Sequence, residues 1–195
     1  MLLRFALALS ALTAAPVMAQ TAAGAPALAA QTVKVALDTT SGRIVLELDK
    51  ARAPITTANF LRYVDAGRFN GESFYRSMKF SDGGIVQAGI TSDARKLYPA
   101  IEHEPVSKTG IKHVAGTVSM AAFSPGTAKA DFFILTADAP SFDANFAAFG
   151  RVIEGMGVAK AIQASPTSPT KGDGVMKGQM LDPVVKITKA SRIKE

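Results

Sequence analysis

The 195-residue chain has no cysteine. Without thiols no disulfide can brace it and no thiolate can ligate a metal, so the fold must rest on its apolar core. The one pronounced apolar run near the N-terminus, Phe5 to Leu12, is too short to span a bilayer. No Pro/Gly/Ser-rich linker and no repeated segment interrupts residues 32–195, which predicts a single domain there. Gly-rich phosphate-binding motifs are absent. Basic residues outnumber acids, 22 to 16, but they are spread thinly. Lys186, Lys189, Arg192 and Lys194 form the notable cluster, and no aromatics interleave it. A solvated strand end is expected there, with no nucleic-acid partner.

What is present begins with a targeting pattern. Arg4, the apolar run, Pro16 and the small-residue site Val17-Met18-Ala19 predict a cleavable secretory signal over residues 1–19. That pattern implies a periplasmic protein with no stable membrane association. Residues 20–31 are mostly alanine with Gly24 and Pro26, side chains with little surface to bury, and predict a flexible leader.

From Thr32 onward, periodicity takes over. Val33, Val35 and Leu37 alternate with other residues, as do Ile44, Leu46 and Leu48 beyond a Gly42-containing turn, which predicts a hairpin with one buried face. Pro54 opens a helix with Ile55, Ala58 and Leu61 at three- and four-residue spacing, ending at Gly67. Residues 69–116 carry short apolar pieces among many glycines and prolines, so brief strands and long loops are expected. Gly116 to Ala122, Asp131 to Ala137, Ala147 to Ile153 and Val184 to Thr188 read as strands, and Met156 to Gln163 as a second helix. Many short strands with two helices predict a mainly β domain, a closed barrel or a sandwich with helices at its ends.

The residues that carry chemistry are few. Arg76 follows Ser73-Phe74-Tyr75, and Gln87 comes eleven residues later. Strand alternation places Phe74 on the face of Arg76, and Phe132 and Phe133 on opposite faces, one core and one lining a cleft. No carboxylate pair accompanies them, and Ser119 has no histidine or acid at suggestive spacing, so nucleophilic catalysis has no support. Glu102-His103-Glu104, with His113 nearby, is the one grouping reminiscent of a metal site. Alternation sets His103 opposite both glutamates, so loop polarity is expected and no metal. An arginine and a glutamine beside an apolar wall suit chemistry that polarises a bond. Twisting an X–Pro amide is such a reaction, because its barrier of about 18–20 kcal/mol comes from the nitrogen lone pair shared with the carbonyl. A guanidinium donating to that nitrogen as it pyramidalises would favour the twisted state.

From Val35 to Ile193 the chain resembles a bacterial cyclophilin, a peptidyl-prolyl cis-trans isomerase. The resemblance rests on Asn59 to Val64, on Phe74-Tyr75-Arg76 where the family has Phe-His-Arg, and on Ile85 to Gly89 where it has Met-x-Gln-Gly-Gly. Gly116 to Ala121, Phe132-Phe133-Ile134, Phe149 to Val152 and Asp182 to Ile187 add to it. It implies a closed eight-stranded antiparallel barrel capped by two α-helices. Also implied are cofactor independence, monomers, and a substrate class of proline-containing unfolded or newly exported polypeptides. Carried over by position, Arg76 is the catalytic arginine and Gln87 its support. Phe133 is the floor of the proline pocket, Ile85 and Phe142 its walls, Met120 and Ala121 the strand beside it, and Phe146 holds a pocket histidine's place. The chain departs from the pattern at four further points: Gly84 stands for a phenylalanine, Ser141 for tryptophan, Phe146 for that histidine and Asp131 for glutamine. The Arg76–Gln87 segment is also three residues longer than the family pattern, and Phe80 within it is positioned to replace the wall lost at Gly84. The competing expectation is a barrel that grips proline segments without turning them over. An inward Arg76 near Gln87 favours catalysis over that, and a solvent-facing one favours binding.

Overall fold

The computed structural model describes residues 32–194. The secretory signal and the leader expected at 1–31 lie outside the described residues.

Strands β1 (Thr32–Thr39) and β2 (Gly42–Asp49) form the expected hairpin, and their inward residues Val35, Leu37, Ile44, Leu46 and Leu48 are fully buried. Helix α1 (Pro54–Asp65) follows, with proline at its first turn, where a missing N–H costs nothing. It turns Phe60, Leu61 and Val64 inward. Phe60 meets Phe132 edge-on at 5.0 Å and tilts onto Phe149 at 5.3 Å, so the helix plugs one end of the sheet with aromatic packing.

Strands β3 (Ser73–Phe80) and β4 (Gly83–Gly89) are longer than the glycine-rich sequence suggests, eight and seven residues. The residues that lengthen this segment extend a hairpin turning at Ser81-Asp82. A long connection then crosses to β5 (Thr117–Met120) and carries a single helical turn, α2 (Val106–Thr109), that periodicity did not reveal. Next come β6 (Phe132–Leu135), a 3-10 turn at Pro140–Ala144, β7 (Ala147–Glu154), α3 (Met156–Ala164), the two-residue β8 (Thr167–Ser168) and β9 (Met180–Arg192).

The antiparallel order β1-β2-β7-β5-β6-β4-β3-β9 closes through β9 onto β1, giving an eight-stranded barrel with β8 added outside β9. Helix α3 buries Ala159 and Ile162, and its C-terminal end pins the β3–β4 hairpin. Ser77 Oγ donates to the Gln163 carbonyl at 2.7 Å, and Gln163 Nε2 donates to the Gly83 carbonyl at 3.1 Å. Among the described residues no helix is long and apolar enough to cross a membrane.

Two buried glutamates tie the long connection down. Glu104 accepts from the backbone N–H groups of Ile55 (3.1 Å) and Thr56 (2.7 Å), capping α1, whose own N-cap residue Ala53 has no side chain for the task. Glu72 accepts from Ser92, from the Thr91 N–H and from Lys96 Nζ at 2.9 Å. Burial alone would raise the Glu72 pKa, but these hydrogen bonds together hold it below the ordinary value. The Glu102-His103-Glu104 grouping is therefore divided by the fold, one carboxylate serving a helix end while Glu102 lies 3.9 Å from Lys108 Nζ. Among the described residues no three His, Asp or Glu side chains gather as a metal would require.

Candidate active site

A β-bulge sets the site. In the pairing of β3 with β4, Phe74 faces Ala88 and Arg76 faces Gln87, which leaves Tyr75 as an extra residue, and the pairing with β9 shifts at the same place. A bulge re-aims the side chains after it. Phe74 accordingly stays in the barrel core, fully buried, while both Tyr75 and Arg76 leave it. This corrects the expectation that Phe74 and Arg76 share a face, which holds only for unbroken alternation.

Arg76 is half-buried and held by two glutamines. Its Nη1 donates to Gln87 Oε1 at 2.8 Å, while Nε and Nη2 both donate to Gln179 Oε1, at 2.9 and 2.7 Å. Nη2 also lies 3.4 Å from the Met78 sulfur, a weak acceptor. Burial lowers the Arg76 pKa from its ordinary value, yet a guanidinium stays cationic in proteins. The glutamine oxygens thus fix its plane without neutralising it. Gln179, 103 residues from Arg76 in sequence, carries no mark in the motif around Arg76. It is delivered by the β3–β9 pairing, in which the Ser77 N–H also donates to the Gln179 carbonyl at 2.8 Å. Its place just before the last strand was the only cue available.

Beside this arginine lies an apolar cluster separate from the barrel core: Ile85, Phe133, Leu135 and Ala139, with Met78, Phe80, Ala121, Phe142 and Phe146 packed on it. Of the paired phenylalanines, Phe132 is core and Phe133 faces the cleft. Phe133 is 1 % exposed and meets Phe142 edge-on at 5.7 Å and Phe146 at 5.3 Å. The outer members are only partly buried, which leaves an open apolar surface beside the guanidinium. Phe80 packs edge-on against Phe142 at 5.9 Å, inside the cluster as expected for a replacement wall. The position of Gly84 has no room for a side chain, since a Cβ there would sit 2.0 Å from the Met78 carbonyl oxygen. Ser141 is exposed. Met120 is a correction: β5 alternation sends it with Val118 into the barrel core, while Ser119 and Ala121 take the cleft side.

Beneath Phe133 the fold assembles a grouping that sequence spacing argued against. His113 Nδ1 lies 2.8 Å from Asp143 Oδ1 and its Nε2 2.9 Å from Ser119 Oγ. Ser119 therefore does have a histidine and an acid, although its side chain is fully buried and has no path to a substrate carbonyl. The imidazole stacks on Phe133 at 6.3 Å and meets Phe142 edge-on at 6.1 Å. The grouping thus acts as a strut under floor and wall. Burial lowers the His113 pKa against the opposing pull of Asp143, so the ring is neutral, donating from Nδ1 to Asp143 and accepting from Ser119. For Asp143 burial works upward, but hydrogen bonds from the His113 backbone and ring and from Lys112 outweigh it and lower the pKa.

A polar groove of about 590 Å³ elsewhere on the barrel, lined by Glu47, Asp49, Arg52 and Arg151, offers no comparable chemistry. Its ion pairs are closed on themselves, Arg151–Glu47 at 2.7 Å and Arg52–Asp49 at 2.6 Å.

Comparison with known proteins agrees with this geometry. Residues 32–192 match the family model described as cyclophilin type peptidyl-prolyl cis-trans isomerase/CLD. Peptidyl-prolyl cis-trans isomerase A of Dickeya dadantii is 37 % identical over 152 residues, covering 73 % of this chain and 77 % of that protein. A peptidyl-prolyl cis-trans isomerase of Streptomyces antibioticus is 36 % identical over 147 residues, 71 % of this chain and 87 % of its own length. In fold, the chain is similar to a Cryptosporidium parvum cyclophilin type isomerase at a TM-score of 0.71 and 21 % identity, over 84 % of this chain and 99 % of that one.

Proposed function

The chain belongs to the cyclophilin-type peptidyl-prolyl cis-trans isomerase family and is a peptidyl-prolyl cis-trans isomerase, and on that premise we propose that Arg76 is its catalytic group. Gln87 and Gln179 hold the guanidinium, and Phe133, Ile85, Phe142, Phe146 and Ala121 receive the proline ring. The observation that carries this assignment is the half-buried guanidinium fixed 2.8 Å from Gln87 at the edge of the phenylalanine cluster.

The mechanism follows from where charge shifts. In the planar amide the nitrogen lone pair is delocalised and accepts hydrogen bonds poorly. As the bond twists, the lone pair localises on a pyramidal nitrogen and becomes an acceptor for an Arg76 N–H. That interaction is stronger in the twisted state than in either planar isomer, which is the condition for acceleration. The ring is held by apolar burial, which is similar in both isomers, so binding does not trap one of them. A fixed guanidinium needs little reorganisation as the bond turns.

The substrates proposed are proline-containing segments of unfolded or newly exported polypeptides, met by a monomer in the periplasm. Uncatalysed isomerisation takes about 10–100 s and limits folding, which gives such an enzyme its use. A solved relative in Cryptosporidium parvum is described in the presence of the dipeptide Ala-Pro, the smallest member of that substrate class. Support for export comes from the signal-type pattern at residues 1–19 and from a cysteine-free domain indifferent to an oxidising compartment. Cell fractionation with N-terminal sequencing tests it, and an intact Met1 in the cytoplasmic fraction would refute it.

The assignment of Arg76 is tested by an isomerisation assay on a panel of X-Pro peptides with the protein and with Arg76→Ala. The variant is expected to lose about 100-fold or more in kcat/KM, the scale of removing a transition-state donor. If both bind the peptides but neither accelerates them, the protein is a holder of proline segments and the catalytic assignment fails.

A further inference from the structure

Two of the departures from the family pattern touch each other. Tyr75 stands where the family has histidine and Asp131 where it has glutamine, 56 residues apart, and the Tyr75 hydroxyl donates to Asp131 Oδ1 at 2.7 Å. The same hydroxyl accepts from Gln87 Nε2 at 2.5 Å. Gln87 in turn accepts from Arg76. A continuous chain of hydrogen bonds thus runs from a carboxylate to the guanidinium. The β3 bulge brings Tyr75 to the side of Arg76, and a glycine makes room at the far end, since a Cβ at Gly89 would lie 2.1 Å from Asp131 Oδ1.

We propose that Asp131 and Tyr75 are positioning residues of the isomerase, a relay that sets the amide orientation of Gln87 and couples the catalytic rate to the ionisation of Asp131. The proposal rests on the catalytic assignment of Arg76.

The direction of each bond follows from its donors and acceptors. An ionised carboxylate only accepts, so the Tyr75 hydroxyl must give its one proton to Asp131. Its oxygen is then left to accept, and only the NH₂ end of Gln87 can satisfy it. The carbonyl end of Gln87 is thereby turned to Arg76 Nη1. Protonating Asp131 removes this instruction. A neutral carboxyl can donate to the hydroxyl as well as accept from it, so the hydroxyl proton is free to turn toward Gln87, and an amide flipped in response sets its NH₂ against the guanidinium donors. Arg76 keeps its charge but loses one of its two holders.

The groups around Asp131 leave it as the member that titrates. Tyr75, from β3, is pushed well above the ordinary tyrosine range by burial and by Asp131, so it stays protonated. Glu72, ahead of β3, acts on Asp131 through space, while β4 contributes the uncharged Gln87 and Gly89. Lys129, nearby in its own segment, is exposed. Burial raises the Asp131 pKa above the ordinary carboxylate value, against the opposing Tyr75 hydrogen bond.

The test is kcat and KM against pH for the full chain, Tyr75→Phe and Asp131→Asn, with circular dichroism at each pH to confirm folding. The parent protein should show an acid limb in kcat. Tyr75→Phe, which breaks the relay, should lose about five- to tenfold in kcat at neutral pH with KM little changed. Asp131→Asn cannot ionise and, like the neutral carboxyl, offers the hydroxyl both a donor and an acceptor, so its kcat should be lowered at neutral pH and lose the acid limb. A Tyr75→Phe enzyme within twofold of the parent, or an acid limb that persists in Asp131→Asn, overturns the relay. Arg76→Ala separates the two claims: an inactive Arg76→Ala beside a fully active Tyr75→Phe refutes the relay alone, while an active Arg76→Ala refutes the assignment beneath it.

Discussion

Gln179→Met is the substitution that asks most directly whether Arg76 works because it is held. Methionine is similar in length and volume but has no oxygen acceptor, so packing is kept while the partner of Nε and Nη2 is lost. The Ser77–Gln179 backbone bond remains, so the strand pairing is not disturbed. Hydrogen bonds to a charged group are worth about 1.5–3 kcal/mol each. At a half-buried site water replaces part of that, and we take about 1.5–3 kcal/mol for the pair together. If the loss falls on the positioned guanidinium, kcat/KM should drop by about 10- to 100-fold. The drop should appear in kcat, since the apolar cluster proposed to bind the ring is untouched. It should stay smaller than the loss in Arg76→Ala, because Gln87 still holds Nη1. An isomerisation assay by NMR exchange, which needs no coupling protease, measures both constants. A Gln179→Met enzyme within twofold of the parent would refute the view that this glutamine positions the catalytic donor.

Two further outcomes are expected. Glu104→Ala removes the carboxylate that accepts from the α1 N-terminal N–H groups of Ile55 and Thr56 and should cost about 1–2 kcal/mol, lowering Tm by about 2–6 °C with activity of the folded protein unchanged; an unchanged Tm in a scanning calorimeter would contradict the capping role. His113 has a pKa below its ordinary 6.5 in the folded state, so the unfolded chain binds the proton more readily; stability from this group is full above pH 6.5 and is lost as pH falls toward the folded value. Asp131 works with the opposite sign: raised above 3.8 when folded, its contribution is present at low pH and is lost as pH rises through the folded value. Comparing urea midpoints of the parent and His113→Gln between pH 7 and 5 isolates the histidine, and an equally steep decline in both would show that it does not titrate as argued.

Sequence alone determined what depends on neighbours in the chain. The alternation in β1 and β2, the Pro54 start and three-to-four spacing of α1, the short apolar strands after Gly116 and the second helix at α3 are set by residues within one or two turns, and each is found where its pattern lies. The pair proposed for catalysis was legible for a related reason, because Arg76 and Gln87 sit on adjacent strands of one hairpin and the motif around them is local. Barrel closure decided the rest. It brought Gln179 to Arg76 across 103 residues and Asp131 to Tyr75 across 56, and it gathered Ser119, His113 and Asp143 beneath Phe133. The Tyr75 bulge separated Phe74 from Arg76, and the register of β5 sent Met120 inward. None of these has a signature at fixed spacing, because a side chain's partners in a closed sheet depend on the register of strands far apart in sequence. One residue of shift in that register exchanges the face that is core for the face that is cleft.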